Sequence, residues 1–357
     1  MNTLEAALHY PWGAELPTPG RAMPLAPGLA WLRMGLPFAL DHINLWLLSD
    51  EIDGQAGWSV IDTCVDRQEA RAQWEQVIEH ELRSLPIVRV LATHMHPDHL
   101  GLAHWLCERF SAPLWISMSD YLMARLAVNR QDSFGGQATA DFFARHGMRH
   151  PLVLQEVVAR KDYYAQMVPQ VPAHYRRLQD RQVVNIGGRT WRCLSGYGHS
   201  PEHMALYSED PGLGRPVLIS GDMVLPRIST NISVYETEPD GNPLQLFLDS
   251  LNKFLPLPED TLVLPSHGRP FVGLHERIRQ LQAHHDERLA EVMQACDAQA
   301  RCAADIVPVM FKRELDLHQT TFALGESMAH LNLLWHAGQL KREVDAQGVL
   351  RFSANRA

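Results

Sequence analysis

Along the first third of the chain, apolar residues come in short runs rich in branched and aromatic side chains, each closed by Gly, Pro or Asp. That spacing predicts strands over 28–34, 42–48 and 58–61. Between 68 and 82 the apolar positions recur at helical spacing among Glu, Gln and Arg, and 87–92 is then a short apolar run of the kind a buried strand shows. Such βα alternation marks an α/β layered domain. Pro97 stands where a helix can open, and Leu100, Ala103, Leu106, Cys107 and Phe110 then fall on one helical face.

Residues 120–182 break the alternation with a long, mostly helical segment of uneven polarity. Strands resume at 183–186 and 190–194, a hairpin through Gly187-Gly188, and again at 217–220 and 261–264. From Leu274 the pattern turns helical, over 274–296, 303–311 and 320–336, and ends in strands 341–345 and 349–352 joined by Ala346-Gln347-Gly348. Helices followed by a hairpin suggest a small winged-helix-like domain. The expected division is therefore a catalytic domain over 1–273, carrying a helical insert at about 120–182, and a C-terminal domain over 274–357.

Composition alters this picture in a few places. The 357 residues suffice for two ordinary cores, and 46% hydrophobic with 20% charged residues excludes disorder and fibrous folds. The net charge of −9 argues against a surface built for nucleic acid or an anionic membrane. No Lys or Arg occurs between Glu314 and Leu340, whereas phosphate contacts need those cations. Phe322, Leu324, Met328, Leu331, Leu333, Leu334 and Trp335 there describe a helix that packs, on the catalytic domain or on a second copy in a homodimer. Nucleic-acid binding through the winged helix is thus the rival reading from another functional class, and the disfavoured one. The insert is the exception in charge: nine Arg or Lys against six acids give +3, leaving −12 for the rest.

The most apolar stretch, 23–40, holds Arg33 and three prolines and is no membrane span. The N-terminus lacks the basic and apolar regions of a secretory signal. Cys64, Cys107, Cys193, Cys296 and Cys302 are odd in number and form no C-x-x-C pair, which fits buried thiols in a reducing compartment. A cytoplasmic location is the expectation.

Of nineteen histidines, three stand in Thr93-His94-Met95-His96-Pro97-Asp98-His99, directly after the apolar run 87–92. In an extended segment His94 and His96 point the same way and can grip one ion. Asp98 and His99 fall on the first turn of the next helix, where they can serve a second. A polar loop that caps a helix accounts for Asp98 but not for three histidines around it. Further ligand types follow other apolar runs: Gly198-His199-Ser200-Pro201-Glu202-His203, Ser220-Gly221-Asp222 and Pro265-Ser266-His267-Gly268.

These motifs, in this order, resemble the metallo-β-lactamase superfamily, and the resemblance spans about residues 28–272. It implies an αβ/βα sandwich of two mixed sheets flanked by helices. It also implies two divalent metal ions, zinc in the first place with iron or manganese as alternatives. One would be held by His94, His96 and His199, the other by Asp98, His99 and His267, with Asp222 bridging. Asp62, in Ile61-Asp62-Thr63, would support the histidine loop. Two ions about 3.5–4 Å apart hold a hydroxide at neutral pH, and Asp98 is the catalytic residue that orients it. His203 is expected to be structural, His104 to pack or stay partly exposed, and His284-His285 to be solvated.

The ligand set leaves the substrate open among thioesters, lactones and phosphodiesters or RNA. A persulfide dioxygenase would leave the second ligand group idle, flavodiiron proteins replace a loop histidine that His96 keeps, and the insert is too short for the large nuclease domain. The basic insert selects a small anionic thioester of the acyl-glutathione or acyl-CoA type. It would close as a lid, with Tyr163, Tyr164, Tyr175, Arg176 and Arg177 as substrate contacts and Arg227 as a further one.

Overall fold

The computed structural model describes residues 4–129 and 134–356. Arg130 and Asp132, counted in the basic insert, lie outside the described residues. The chain gathers into two compact units, each discontinuous: residues 1–129, 164–230 and 250–278 form the first, and 130–163, 231–249 and 279–357 the second.

The first unit holds two sheets. One comprises β1 (Met23–Ala26), β2 (Leu29–Gly35), β3 (His42–Ile52), β4 (Gln55–Ile61), β5 (Ile87–Leu91), β6 (Leu114–Ser117) and β7 (Tyr175–Leu178), in that spatial order. The other comprises β8 (Val183–Ile186), β9 (Arg189–Gly196), β10 (His203–Ser208), β11 (Val217–Gly221), β12 (Leu262–Pro265) and β13 (Phe271–Val272). Strands β4 to β7 run parallel, as do β11 and β12, and the other neighbours are antiparallel.

Side chains alternate across a strand, so Leu29 and Trp31, Trp46 and Leu48, Ile61 and Leu91 share one face of the first sheet. They meet Trp191, Cys193, Met204, Leu206, Val217, Ile219, Leu262 and Leu264 of the second sheet in one buried cluster. Helices α1 (Gln68–His80) and α3 (Ala103–Phe110) pack on β2 and β5, so β5 is buried at every position and reads as a continuous apolar run. This is the expected sandwich of mixed sheets with helices.

The helix expected from Pro97 is interrupted. Between α2 (Pro97–Leu100) and α3, the Leu102 N–H donates to the Cys64 carbonyl at 3.0 Å. A Cβ on Gly101 would stand 2.6 Å from that same carbonyl oxygen, so only glycine lets the chain pass so close to the loop after β4.

The insert is helical only in part. It contributes α4 (Met118–Asn129), α5 (Gly136–Arg145), α6 (Pro151–Ala159) and α7 (Tyr163–Met167), but its end is β7, the edge strand of the first sheet. Tyr175, Arg176 and Arg177 therefore belong to the sheet and not to a lid. Arg176 pairs in register with Trp115, which pairs with Leu91, and its guanidinium lies 5.5 Å from the Trp115 ring.

The remaining helices are α8 (Pro243–Asn252), α9 (Leu274–Ala298), α10 (Ala303–Met310) and α11 (Leu317–His336), and a hairpin of β14 (Leu340–Val344) and β15 (Leu350–Ala354) closes the chain. His285 is fully buried beside Phe247 and His330, contrary to the expected solvated position. All five cysteines are buried free thiols. No helix among the described residues is long and apolar enough to cross a membrane.

Candidate metal centre

Four chain segments leave the sheets and bring their polar residues together. After the fully buried β5, the chain passes through Thr93 to His96 before Pro97 starts α2. His199 stands in the loop between β9 and β10, Asp222 directly after β11, and His267 two residues after β12. Because β11 and β12 run parallel and adjacent, both release these side chains at the same edge of the sheet.

Three groups of donor atoms result, each lying within 4.8 Å of one another: His94, His96 and His199; His94, His99 and Asp222; Asp98, His99 and His267. In the first group His94 Nε2 stands 2.9 Å from His96 Nδ1 and 3.2 Å from His199 Nε2. A single N–H on His94 can serve only one of these neighbours. Zinc–nitrogen bonds of about 2.0–2.1 Å in a tetrahedron separate two ligand nitrogens by about 3.3 Å, so nitrogens at this spacing fit around one cation.

The group of Asp98, His99 and His267 is richer in acid than the first. Asp98 Oδ2 lies 3.5 Å from His99 Nε2 and 3.4 Å from His267 Nε2. Asp222 reaches both groups, with Oδ2 at 3.3 Å from His199 Nε2 and 3.6 Å from His99 Nε2, and Oδ1 at 3.4 Å from His267 Nε2. His99 Nε2 and Asp222 Oδ1 are buried without a hydrogen-bond partner. Buried polar atoms left unpaired are costly, and a cation between them removes the cost.

Charge agrees with this fit. Burial, with the neighbouring His199, pushes His96 down to about 3, leaving a neutral ring whose lone pair is available. At His267 burial acts in the same direction, but Asp222 and Asp98 outweigh it and lift the ring to about 10. One group thus offers neutral imidazoles and the other a negative potential, and both favour a bound cation.

A surrounding set of hydrogen bonds aims the donor side chains. The Asp62 carboxylate, fully buried, accepts from the Thr93 N–H at 2.7 Å and lies 2.8 Å from His99 Nδ1, so a proton there leaves His99 Nε2 free to face the centre. His267 Nδ1 stands 2.7 Å from the His42 carbonyl, which aims its Nε2 in the same way. His203 is not among the three donor groups; its Nε2 accepts from the Asp222 N–H at 3.1 Å. A Cβ on Gly221, whose φ is +54°, would come within 2.1 Å of that Nε2, so glycine is required where β11 delivers Asp222.

Several contributors gave no signal in the sequence. Asn44, inside β3, donates to the carbonyls of Pro265 at 2.8 Å and Gly268 at 3.0 Å and so holds the His267 loop from both sides. Tyr164, expected at substrate, is instead buried, and its hydroxyl donates to the Met95 carbonyl at 2.5 Å. Tyr163 lies with its ring centre 6.0 Å from that of His318. Arg227 is exposed, 3.9 Å from Glu5, and His104 is half-buried, 3.4 Å from Glu108.

A sandwich of two mixed sheets with this cluster at one edge defines a class, the metallo-hydrolases. Within it, the chain belongs to the metallo-beta-lactamase superfamily. The sequence profile of that superfamily matches residues 41–267, and the profile of a metallo-beta-lactamase-like C-terminal domain matches 289–355. The crystal structure of a beta-lactamase domain protein from Burkholderia ambifaria is 53% identical, with a TM-score of 0.93, covering 99% of this chain and 100% of that one. A metallo-beta-lactamase family protein of Thermus thermophilus is 26% identical, with a TM-score of 0.76, over 93% of this chain and 100% of that one. The probable metallo-hydrolase YqjP of Bacillus subtilis is 23% identical over 314 residues, 85% of this chain and 91% of the relative.

Proposed function

We propose that the protein is a dinuclear hydrolase that cleaves a thioester of the acyl-glutathione or acyl-CoA type. The observation that carries the two-metal reading is the position of Asp222, whose two oxygens face histidines of both ligand groups. His94, His96 and His199 would hold one divalent ion, Asp98, His99 and His267 the other, and an all nitrogen-and-oxygen donor set suits zinc before iron or manganese. Two such ions supply a water whose pKa is lowered from about 15.7 towards 7 and neutralise charge on the substrate oxygen.

The chain's own residues do the rest. Asp98, half-buried at the rim of the cluster, would accept a hydrogen bond from the attacking water and orient it. Departure of the leaving group is what favours a thioester. Thiolates have pKa values near 8.5 and depart without protonation, whereas an amine or alkoxide needs an acid. The nearby groups that could act as acids are committed: His203 Nε2 to the Asp222 N–H, His42 Nε2 to the Gly268 N–H at 2.8 Å, and the Tyr164 hydroxyl to the Met95 carbonyl. With Tyr175, Arg176 and Arg177 in the edge strand, the anion-binding role falls to Arg227 among the contacts expected earlier.

Elemental analysis combined with a panel of thioesters, lactones and phosphodiesters tests the reading. Two divalent ions per chain and a thioester preference are expected, with metal-dependent turnover abolished in His96→Ala and Asp222→Ala. A preference for lactones or phosphodiesters would overturn the substrate class alone. A metal-free native protein whose variants behave like the wild type would overturn the enzyme reading.

A further inference from the structure

Resting on the reading of His94, His96 and His199 as ligands of one ion, we infer that Asp120 is the positioning residue that sets the distance between the two loops carrying them. Asp120 lies in the first turn of α4, directly after β6, and is fully buried. Strand β6 is the parallel neighbour of β5, so the start of α4 stands beside the loop that β5 releases. From there the carboxylate spans two segments far apart in sequence. Oδ1 accepts from the Met95 N–H, between His94 and His96, at 2.9 Å. Oδ2 accepts from the Glu202 N–H, in the loop that carries His199, at 2.6 Å.

Both ends of this tether are fixed. The Ser117 hydroxyl donates to Oδ2 at 3.1 Å, and the Asp120 N–H returns a bond to the Ser117 oxygen at 3.2 Å. On the far side of Met95, the Tyr164 hydroxyl holds the carbonyl, so the residue between the two histidines is gripped at both its N–H and its C=O, one in each flanking peptide group. Burial lifts Asp120 to about 6 against the backbone N–H bonds that lower it, and at neutral pH both oxygens are acceptors. An ionised carboxylate takes two N–H donors at once, whereas an amide turns an NH2 group against one of them.

None of these bonds reaches the second ligand group, so the effect of Asp120 is specific to one ion. Titration of the metal-stripped full-length chain with cobalt(II), read by its visible bands and by chelator competition, tests this. Asp120→Asn is expected to weaken the ion of the three imidazoles by 10–100-fold and to alter its bands. The equivalent held by Asp98, His99 and His267 should bind as in the wild type. The comparison variant is Asp50→Asn, a buried carboxylate of β3 paired in register with Gly57, near the start of β4 beside the start of β5 and away from the ligand loops. It is expected to lower thermal stability and leave both cobalt equivalents unchanged. Wild-type affinity and bands in Asp120→Asn would overturn the inference and leave the metal reading standing. An equal loss in Asp50→Asn would overturn it by reducing the effect to general stability, and a wild type that takes up no cobalt would overturn both readings. If Asp120→Asn does not fold, Ser117→Ala removes only the hydroxyl that orients the carboxylate; a several-fold weakening of the same ion is expected, and no change overturns the inference.

Discussion

At the scale of single residues, Glu326 shows how burial alone sets a pH response. It lies within α11 at 8% exposure, and burial raises its carboxyl to about 7, with Asn231 at 3.4 Å and Arg288 acting the other way. In the unfolded chain a glutamate ionises near 4.3. Between about pH 4.5 and 7 the folded state therefore binds the extra proton, and stability falls as pH rises through that window. A difference of this size amounts to about 3 kcal/mol, so Glu326→Gln should remove most of the fall. Melting temperatures of both proteins at pH 5 and pH 8 check this, and a wild-type curve parallel to that of the variant would refute it. No sequence pattern announces Glu326, because its peculiarity lies in its surroundings. The cluster of donor side chains was legible for the opposite reason: His94, His96, Asp98 and His99 are local in sequence, and their residue types have few other reasons to crowd together. Asp62 was expected beside the histidine loop from the resemblance, and its carboxylate lies there, against the Thr93 N–H and His99 Nδ1. Asp120, Asn44 and His42 were not, since they act through hydrogen bonds that involve backbone groups, and a partner in such a bond leaves no mark on the distant segment it serves.

At the scale of elements, strands buried on both faces or bounded by tight turns were readable, and edge strands were not. The β8–β9 hairpin shows the readable case, with Ile186 paired to Arg189 across Gly187 and Gly188, both at positive φ. Strand β7 shows the other: of Tyr175–Leu178 only Leu178 is buried, so its composition suits a solvated helix as well as a sheet edge. Strand β10 is an exception: all six of its positions are buried, but His203 and Ser208 at its ends shorten the apolar run to 204–207. The elements also carry a polar brace at the end opposite to the ligand loops. Arg89 of β5 pairs with Asp50 of β3 at 3.1 Å, both buried, while Asp50 also accepts from the Ser59 hydroxyl at 2.5 Å and the Gly187 N–H at 2.8 Å. Removing one partner strands a buried charge, at a cost of about 3–5 kcal/mol. Asp50→Ala should therefore lose stability by that amount in denaturant unfolding, with metal content and turnover per folded molecule unchanged. Loss of metal in the folded variant would show that the brace reaches the site.

At the scale of the whole molecule, the two compact units do not follow the linear division expected from the pattern, because residues 130–163 and 231–249 belong with 279–357. Contact partners across such separations are invisible to a reading that moves along the chain. The C-terminal order of helices and hairpin nevertheless held, and it sharpens the question of nucleic acid. A helix that reads a groove presents an exposed, cationic face. In α11 every residue from Ala323 to Leu334 is buried, so it offers no such face. The cations of the following hairpin are already engaged: Arg342 with Asp240 at 2.6 Å, Arg351 with Asp305 at 2.8 Å and Asp345 at 2.9 Å, and Lys341 with Glu343 at 3.7 Å. Binding phosphates there would require breaking these pairs without a compensating cationic helix. Duplex DNA or RNA should therefore migrate unshifted with the full-length protein at low salt, where electrostatic binding is strongest. A shifted band that disappears as salt is raised would show that the C-terminal unit recruits nucleic acid, and would move the substrate search from thioesters to phosphodiesters.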